Sequence, residues 1–322
     1  MRPLKRPPAE VSRDKDARQV KKPKQDPDTY YSSILEASNS KKDIYGMWRG
    51  RMIAAWGKYC SYCEIPMGTG LQVEHKDPKS QSTDPFASTA WTNMLLACPS
   101  CNRTKSDHPN QNERLTDFLW PDQDVKFSPD PTKSAFQYTR LSNCKAKLTQ
   151  VDDSGQLSTA DLANQDIVIV SAGSVDSAKA TRTIGMLNLN AGYDAKTNTM
   201  KYRTTATDRR IKHRTKAWDY ALRAIANLKA VYQEFPDDDH SDQMMRTAIE
   251  RQVISTAISA GFWSVWVTVF YNEVTANRFT LPTNDTIQTL IKRLFITGIS
   301  LLDIRFLGTD TARIGVAQMG DI

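Results

Sequence analysis

The sequence contains no apolar run long enough to cross a membrane and no glycine-rich loop of the kind that binds nucleotide phosphates. Its longest apolar stretch, Ala260 to Tyr271, spans about a dozen residues, short of the ~20 that a membrane helix needs, and it contains Ser264 and Thr268. The basic residues near the N-terminus are not followed by an apolar segment, so a secretory signal is not expected. These absences predict a soluble cytoplasmic protein without membrane contact and without an ATPase of its own.

The positive charge of the sequence is concentrated near its N-terminus. Of the net charge of +7 carried by 322 residues, +6 lies in residues 1–25, which hold nine Lys or Arg and three acidic residues. Such an arm attracts nucleic acid or acidic protein surfaces through a salt-dependent field, although it could equally be a solvated tail. The hydrophobic content of 39% predicts packed domains rather than disorder.

Cysteine is scarce, and the positions of the five cysteines are informative. In a cytosolic protein they are not expected to form disulfides. Four of them form two Cys-x-x-Cys pairs with 34 residues in between, Cys60 with Cys63 and Cys98 with Cys101. A single pair would leave a redox role open, but two pairs favour one tetrahedral Zn²⁺, and because four thiolates complete its coordination the zinc is predicted to be structural. Cys144 stands alone and is expected to be a small buried residue.

The segments between and after these pairs predict a small site. Residues 71–75 (LQVEH) are typical of a short strand, and Pro78 with the polar residues after it is typical of a loop. A helix is predicted to open at Cys101. A strand, a loop or second strand, and this helix would converge on one site.

Two cysteine pairs enclose Glu74-His75 and Asn93, and the last cysteine of the second pair begins the sequence CNRTK. This order resembles the HNH nuclease family with its ββα-metal fold. The resemblance covers about residues 56–108. It implies that His75 is the general base that takes a proton from the attacking water. It also implies that Glu74 and Asn102 are ligands of one catalytic divalent cation, with Asn102 standing where the family often has its final histidine. Asn93 is implied to hold the loop and to orient His75.

The chemistry of these residue types suits phosphodiester hydrolysis. An imidazole can act as a base near neutral pH, and a carboxylate with an amide oxygen favours Mg²⁺ or Mn²⁺ as the catalytic cation. Arg103 and Lys105 follow the second cysteine pair and are predicted to contact phosphates of the nucleic acid. His108 is a rival metal ligand, although a solvated loop residue is favoured there.

A zinc ribbon that only binds nucleic acid or another protein is the alternative function. In that case Glu74 and His75 would be incidental. The pairing of Asn93 with Asn102 argues against this alternative, because a binding ribbon needs neither amide.

The whole sequence predicts a mainly α fold with a small α+β module, that is, a ββα-metal HNH core with a structural zinc plus a C-terminal helical domain. Helical periodicity is found in residues 26–59 and from Arg209 onward, and one short strand is predicted at Asp166–Ser171. Four parts are predicted. Residues 1–25 form a basic flexible arm, and residues 26–120 form an HNH module with the zinc. Residues 121–175 form an irregular elaboration, and residues 176–322 form a helical domain for assembly or partner binding.

A wider set of segments resembles the HNH subunit of the Septu-type anti-phage systems of bacteria, some of which lie beside retrons. These segments are the opening MRPLKRP, YCSYCE at 59–64, TIGMLNLN at 183–190 and the helical tail. The resemblance implies a nuclease effector, with DNA as the favoured substrate, that works with a separate ATPase partner. A stand-alone restriction-like or homing-type nuclease would lack a nucleotide site as well, and homo-oligomer formation is left open.

Overall fold

A computed structural model describes residues 1–6, 41–80, 82, 90–151, 154–203, 208–236, 239–281 and 285–297 of the chain. Its helices are α1 (Lys41–Trp56), α2 (Pro99–Lys105), α3 (Ser177–Met186), α4 (Arg210–Glu234), α5 (His240–Ala260), α6 (Trp263–Thr275) and α7 (Ile287–Ile291), which continues as a π-helix over Lys292–Thr297. Its strands are β1 (Gln72–His75), β2 (Met94–Ala97), β3 (Phe136–Val151), β4 (Leu157–Ala172), β5 (Tyr193–Asp194) and β6 (Thr199–Arg203). None of these described helices combines the length and the apolar content of a membrane span.

A small module is built around the antiparallel pair of β1 and β2, with α2 in contact with both strands. The register places His75 opposite Met94, so the end of β1 faces the start of β2. Helix α1 covers the module with Trp48, Met52 and Trp56, which are buried and lie four residues apart, as the packing face of a helix requires.

Most of the predicted helices and the first strand are present. The strand predicted at residues 71–75 is β1, and the helix expected to open at Cys101 is α2, which begins two residues earlier. The helices predicted from Arg209 onward are α4 to α7. Residues 26–40 of the first helical prediction, and residues 298–322 at the other end, lie outside the described residues.

A four-stranded sheet in the order β4-β3-β6-β5 follows the module in the chain. Strands β3 and β4 form an antiparallel hairpin with 16 residues in each strand, and β6 pairs with β3 in parallel. The distal residues 157–164 of β4 are all exposed to solvent. The base of the hairpin is buried through Ile167, Val168 and Val170.

The expected mainly α fold is wrong, because the structure has about 44% helix and about 22% strand, and the described residues form two sheets. Sequence periodicity missed the hairpin for two reasons. Residues 157–164 of β4 have no buried face and therefore no alternating apolar pattern. In β3, register shifts on both sides of Cys144, between Leu141 and Ala146, interrupt the alternation. The strand predicted at Asp166–Ser171 lies within the buried base of β4.

The first six residues of the predicted flexible arm belong to the folded core, and four of them are buried. The guanidinium of Arg6 lies 5.0 Å from the ring centroid of Trp91 and forms an ion pair of 2.6 Å with Asp122. Residues 7–25, the rest of the arm, lie outside the described residues. The division of the remaining chain into domains stays a prediction.

The carboxylate of Glu64 joins the module to the helical part of the chain. It accepts a hydrogen bond from the backbone N–H of Ser264 at 2.9 Å and another from the Ser264 hydroxyl at 2.7 Å. A carboxylate is favourable at this place because the first N–H groups of α6 have no partners within the helix. Gly261 precedes the helix with φ at +69°, and a Cβ there would lie 2.7 Å from the carbonyl oxygen of Glu64. The chain therefore approaches the module closely just before α6 begins.

Candidate metal centre and active site

The four cysteines of the two predicted pairs come together in one buried cluster. Their Sγ atoms all lie within 4.8 Å of one another, and those of Cys63 and Cys98 are 3.7 Å apart. Four thiolates around a tetrahedral Zn²⁺ at about 2.3 Å would lie about 3.8 Å from one another. The donor set and its spacing therefore fit zinc. Cys144 lies outside this cluster and is buried, which confirms the prediction for it.

Each cysteine pair has its own local geometry. Cys60 and Cys63 lie in a tight turn in which the N–H of Glu64 donates to the carbonyl oxygen of Cys60 at 3.0 Å, with Glu64 in the left-handed conformation. Cys98 is the N-cap of α2, and its Sγ accepts from the N–H of Cys101 at 3.4 Å. A two-residue gap thus suffices, in a turn or at a helix start, to direct both sulfurs of a pair to one point.

Burial makes four thiolates costly at this place without a cation. It raises the pKa of the Cys63 and Cys101 thiols, whereas hydrogen bonds from the neighbouring cysteines lower the pKa of Cys98. A divalent cation would offset the cost of deprotonating all four, so a metal bound here would stabilise the folded state.

Asn93 holds the backbone that follows His75, the last residue of β1. The side-chain amide of Asn93 accepts from the N–H of Asp77 at 2.7 Å and donates to its carbonyl oxygen at 3.0 Å. The backbone carbonyl of Asn93 also accepts from the N–H of Lys76 at 2.8 Å. These three bonds fix the segment after His75 against the start of β2.

Glu74 is buried and has two polar partners. Its Oε1 lies 2.6 Å from the Nζ of Lys105, and its Oε2 accepts from the hydroxyl of Tyr62. Burial raises the pKa of Glu74, and the Lys105 ammonium and the Tyr62 hydroxyl oppose this rise. Lys105 also donates to the backbone carbonyl of His75 at 2.6 Å. A single buried ammonium therefore binds both residues of the Glu-His pair.

Asn102, the other predicted cation ligand, lies on α2 one turn before Lys105. Its Nδ2 donates to the Oε1 of Gln72 at 2.7 Å. Gln72 and Glu74 are two residues apart in β1 and so lie on the same face of the strand. The structure thus places both predicted ligands at the contact of β1 with α2, with Glu74 buried and Asn102 half-buried.

The two predicted phosphate contacts differ in their surroundings. Arg103 is exposed on α2, whereas Lys105 is fully buried. Because its ammonium is held by the Glu74 carboxylate and the His75 carbonyl, Lys105 does not suit a phosphate contact. Its position in the sequence gave no sign of this, since burial depends on how α2 packs on β1.

His108, the rival metal ligand, is engaged within its own loop. Its Nδ1 lies 2.7 Å from the Oε2 of Glu113, which also accepts from the N–H of Asn110 at 2.9 Å. His108 is not a member of the cysteine cluster. It is the partly exposed loop residue that the sequence favoured.

Two side chains near the site were not predicted from the sequence. Tyr62 supports Glu74, although the sequence had marked it only as part of a resemblance. Arg210 donates to the Sγ of Cys101 at 3.3 Å from a helix more than 100 residues away in the chain. No local pattern marks an arginine at the start of a helix as the partner of a distant cysteine, so only the folded chain could reveal it.

A model of the HNH endonuclease family matches residues 60–108. The matched segment contains all four clustered cysteines together with His75, Asn93 and Asn102. Comparison with curated proteins and with solved structures finds no match. The segment is therefore similar to HNH endonucleases, and the cysteine cluster that could hold zinc lies within it.

Proposed function

We propose that the protein is a metal-dependent HNH endonuclease that hydrolyses phosphodiester bonds of nucleic acid, with DNA as the favoured substrate. The observation that carries the proposal is that two side chains fix the backbone at and after His75, within a segment similar to HNH endonucleases. Lys105 binds the carbonyl oxygen of His75, and Asn93 binds the loop that follows it. A module that only binds nucleic acid has no need to fix one histidine from both sides.

In the proposed reaction, His75 takes a proton from the attacking water as general base. The resulting hydroxide forms a bond to phosphorus, and the bond from phosphorus to the leaving oxygen breaks. Glu74 and Asn102 would hold Mg²⁺ or Mn²⁺, which supplies positive charge for the phosphate and the leaving oxygen. Arg103, exposed on α2, is proposed to contact a neighbouring phosphate.

The donor set of Glu74 and Asn102 suits a hard cation, because carboxylate and amide oxygens are ligands that Mg²⁺ accepts. Each oxygen of Glu74 has one hydrogen-bonding partner, Lys105 on Oε1 and Tyr62 on Oε2. A carboxylate offers about four lone-pair sites in all. Acceptor capacity for a cation therefore remains, although Lys105 competes with the cation for the negative charge.

The first test compares wild type, His75→Ala and His108→Ala on duplex DNA, single-stranded DNA and RNA with Mg²⁺ or Mn²⁺. We expect His75→Ala to lose cleavage and His108→Ala, whose ring pairs with Glu113 in a loop, to cleave at the wild-type rate. Zinc content and thermal midpoint should be unchanged in both variants. Cleavage by His75→Ala at the wild-type rate would refute the mechanism.

We also propose that the nuclease is the effector of a bacterial anti-phage system and works with a separate ATPase. The wider resemblance of the sequence supports this, and so does the lack of a glycine-rich phosphate loop. Helices α4 and α5 expose the large apolar side chains of Tyr220, Met244 and Met245, which suits contact with a partner protein. Purification from the native operon tests this role, and we expect an ATPase to copurify in a fixed ratio.

A zinc module that binds without cleaving is the second candidate function. It is favoured by the buried ion pair of Glu74 with Lys105, because the carboxylate is already neutralised there. In that case Glu74 would contribute to stability only. Wild-type protein that binds nucleic acid but cleaves none of the three substrates, even with a copurified partner present, would support this candidate against the nuclease.

A further inference from the structure

Helix α4 begins with a buried arginine whose hydrogen-bonding capacity is fully used. A guanidinium has five N–H groups, and every one in Arg210 has an acceptor. Nε and Nη2 bind the Asp208 carboxylate, Nη2 also binds the carbonyl oxygen of Asn188 at 2.9 Å, and Nη1 binds the carbonyl oxygen of Leu187 at 2.7 Å and the Sγ of Cys101 at 3.3 Å. Such a network of hydrogen bonds restricts the side chain to one orientation.

The contact with Cys101 joins a cation to the proposed zinc site. Four thiolates around Zn²⁺ carry a net charge of −2, and here that charge would be buried. The Arg210 guanidinium is also buried, so both charges have little water around them. An N–H···S bond from a cation at this place stabilises the thiolate and fixes its direction.

The same guanidinium is part of a junction between three helices. The carbonyl oxygen of Leu187, at the end of α3, accepts from Arg210 on α4 and lies 2.9 Å from the Oγ1 of Thr104 on α2. Helix α2 carries Cys101, so the metal-binding helix and α4 meet at one carbonyl group. The segment 187–190, part of the stretch 183–190 that the sequence analysis named only for its resemblance, provides this junction.

We propose that Arg210 is a positioning residue of the zinc site, which holds the Cys101 sulfur through an N–H···S bond and couples metal retention to the packing of α4. The inference rests on the proposed zinc site and is independent of cleavage. It would hold equally for a nuclease and for a zinc module that only binds.

Arg214, one turn later on α4, provides a matched control. It is equally buried and donates to the carbonyl oxygen of Leu189 at 2.7 Å, to the Oδ1 of Asn190 at 3.1 Å and to the carbonyl oxygen of Val168 at 3.3 Å. Every hydrogen bond that the structure describes for Arg214 has an oxygen acceptor, and none of these acceptors is a cysteine of the cluster. Its charge acts on Cys63 through space, and Arg214→Lys keeps that charge. This substitution therefore removes comparable buried hydrogen bonds without removing a hydrogen bond to a cluster cysteine.

The experiment measures zinc affinity by competition with a chromophoric chelator in wild type, Arg210→Lys and Arg214→Lys. Lysine keeps the charge but has a single ammonium that cannot serve all the acceptors. We expect Arg210→Lys to bind zinc about 10- to 100-fold more weakly, while Arg214→Lys stays close to wild type even if its thermal midpoint falls. Equal zinc affinity in the two variants would overturn the proposal.

A second measurement needs no variant and therefore does not depend on the folding of Arg210→Lys. The full-length protein is loaded with the NMR-active isotope of Cd²⁺, and a proton–cadmium correlation is recorded through the N–H···S bonds. We expect a cross-peak to a guanidinium proton of Arg210. A spectrum that shows only cysteine β protons and backbone amides would overturn the contact. Wild-type protein that retains neither zinc nor cadmium would overturn the zinc site together with this inference.

Discussion

The side chain of Asn93 is hydrogen-bonded to both polar groups of the Asp77 backbone, to the N–H at 2.7 Å and to the carbonyl oxygen at 3.0 Å. A primary amide is suited to this double contact because it offers an acceptor and a donor on one carbon. An aspartate at this position would keep the acceptor and lose the donor. The loop after His75 therefore depends on an amide at this position and not merely on a polar side chain.

Asn93→Asp should consequently reduce the cleavage rate about 100-fold, because a displacement of about 1 Å in a catalytic group costs a factor of that order. Steady-state kinetics should show the loss in kcat more than in KM, while zinc content stays at the wild-type level. A wild-type kcat in this variant would show that Asn93 does not position His75.

The buried ion pair of Glu74 and Lys105 should appear in unfolding free energies. Lys105→Met leaves the Glu74 carboxylate buried without its cation, which should cost about 3–5 kcal/mol in urea denaturation. The double variant Glu74→Leu/Lys105→Met removes both charges and should regain most of this loss. As a control, Lys133→Met removes the exposed partner of Asp130 and should change stability by less than about 1 kcal/mol. Equal losses in the single and double variants would show that charge burial is not the cause.

Zinc binding should distinguish the clustered cysteines from the isolated one. Cys98→Ser removes one donor of the cluster and should yield protein without stoichiometric zinc and with a lower thermal midpoint. Cys144→Ser changes an equally small buried residue whose Sγ donates to the carbonyl oxygen of Asn198 at 3.3 Å, a bond that serine can also make. Metal analysis of the two purified variants checks this. Full zinc content in Cys98→Ser would contradict a four-cysteine site.

The free energy of unfolding at acid pH should depend on Asp285. Arg293, which also pairs with Glu250 of α5, lies 2.7 Å from the Oδ2 of Asp285. Burial acts to raise the pKa of Asp285, but hydrogen bonds from Arg293 and Thr289 outweigh it and lower the pKa below its usual value. The unfolded chain then binds more protons in acid, so this stabilisation is present above about pH 4 and is lost as the pH falls through the lowered pKa.

Asp285→Asn should accordingly destabilise the protein by about 1–3 kcal/mol near pH 7, the range for a hydrogen bond to a charged group. The difference from wild type should shrink towards zero in strong acid, where Asp285 is protonated. Urea denaturation of both proteins at a series of pH values checks the prediction. A difference that stays constant down to pH 2 would assign the effect to packing instead of charge.

The cysteine cluster was predictable because metal ligands in close pairs are defined by residue type and by a two-residue gap. His75 and Asn93 were assigned from their order between the pairs, and their roles stay predictions. Lys105 was not predictable in this way. Its sequence position suggests a phosphate contact, yet the packing of α2 on β1 buries its ammonium against Glu74. The local sequence of a short helix does not show which of its faces will be buried.

The amino-acid sequence alone was enough to identify four cysteines at zinc spacing, one Glu-His pair and two asparagines in an order that resembles the HNH family. These features depend only on residue types and on short separations along the chain, and residues that are close along the backbone stay close in any fold. The folded structure was needed to reveal the long hairpin, the burial of Lys105 and the contact of Arg210 with Cys101. Each of these joins parts of the chain through packing, and the energy of packing depends on surfaces that exist only after the chain has folded.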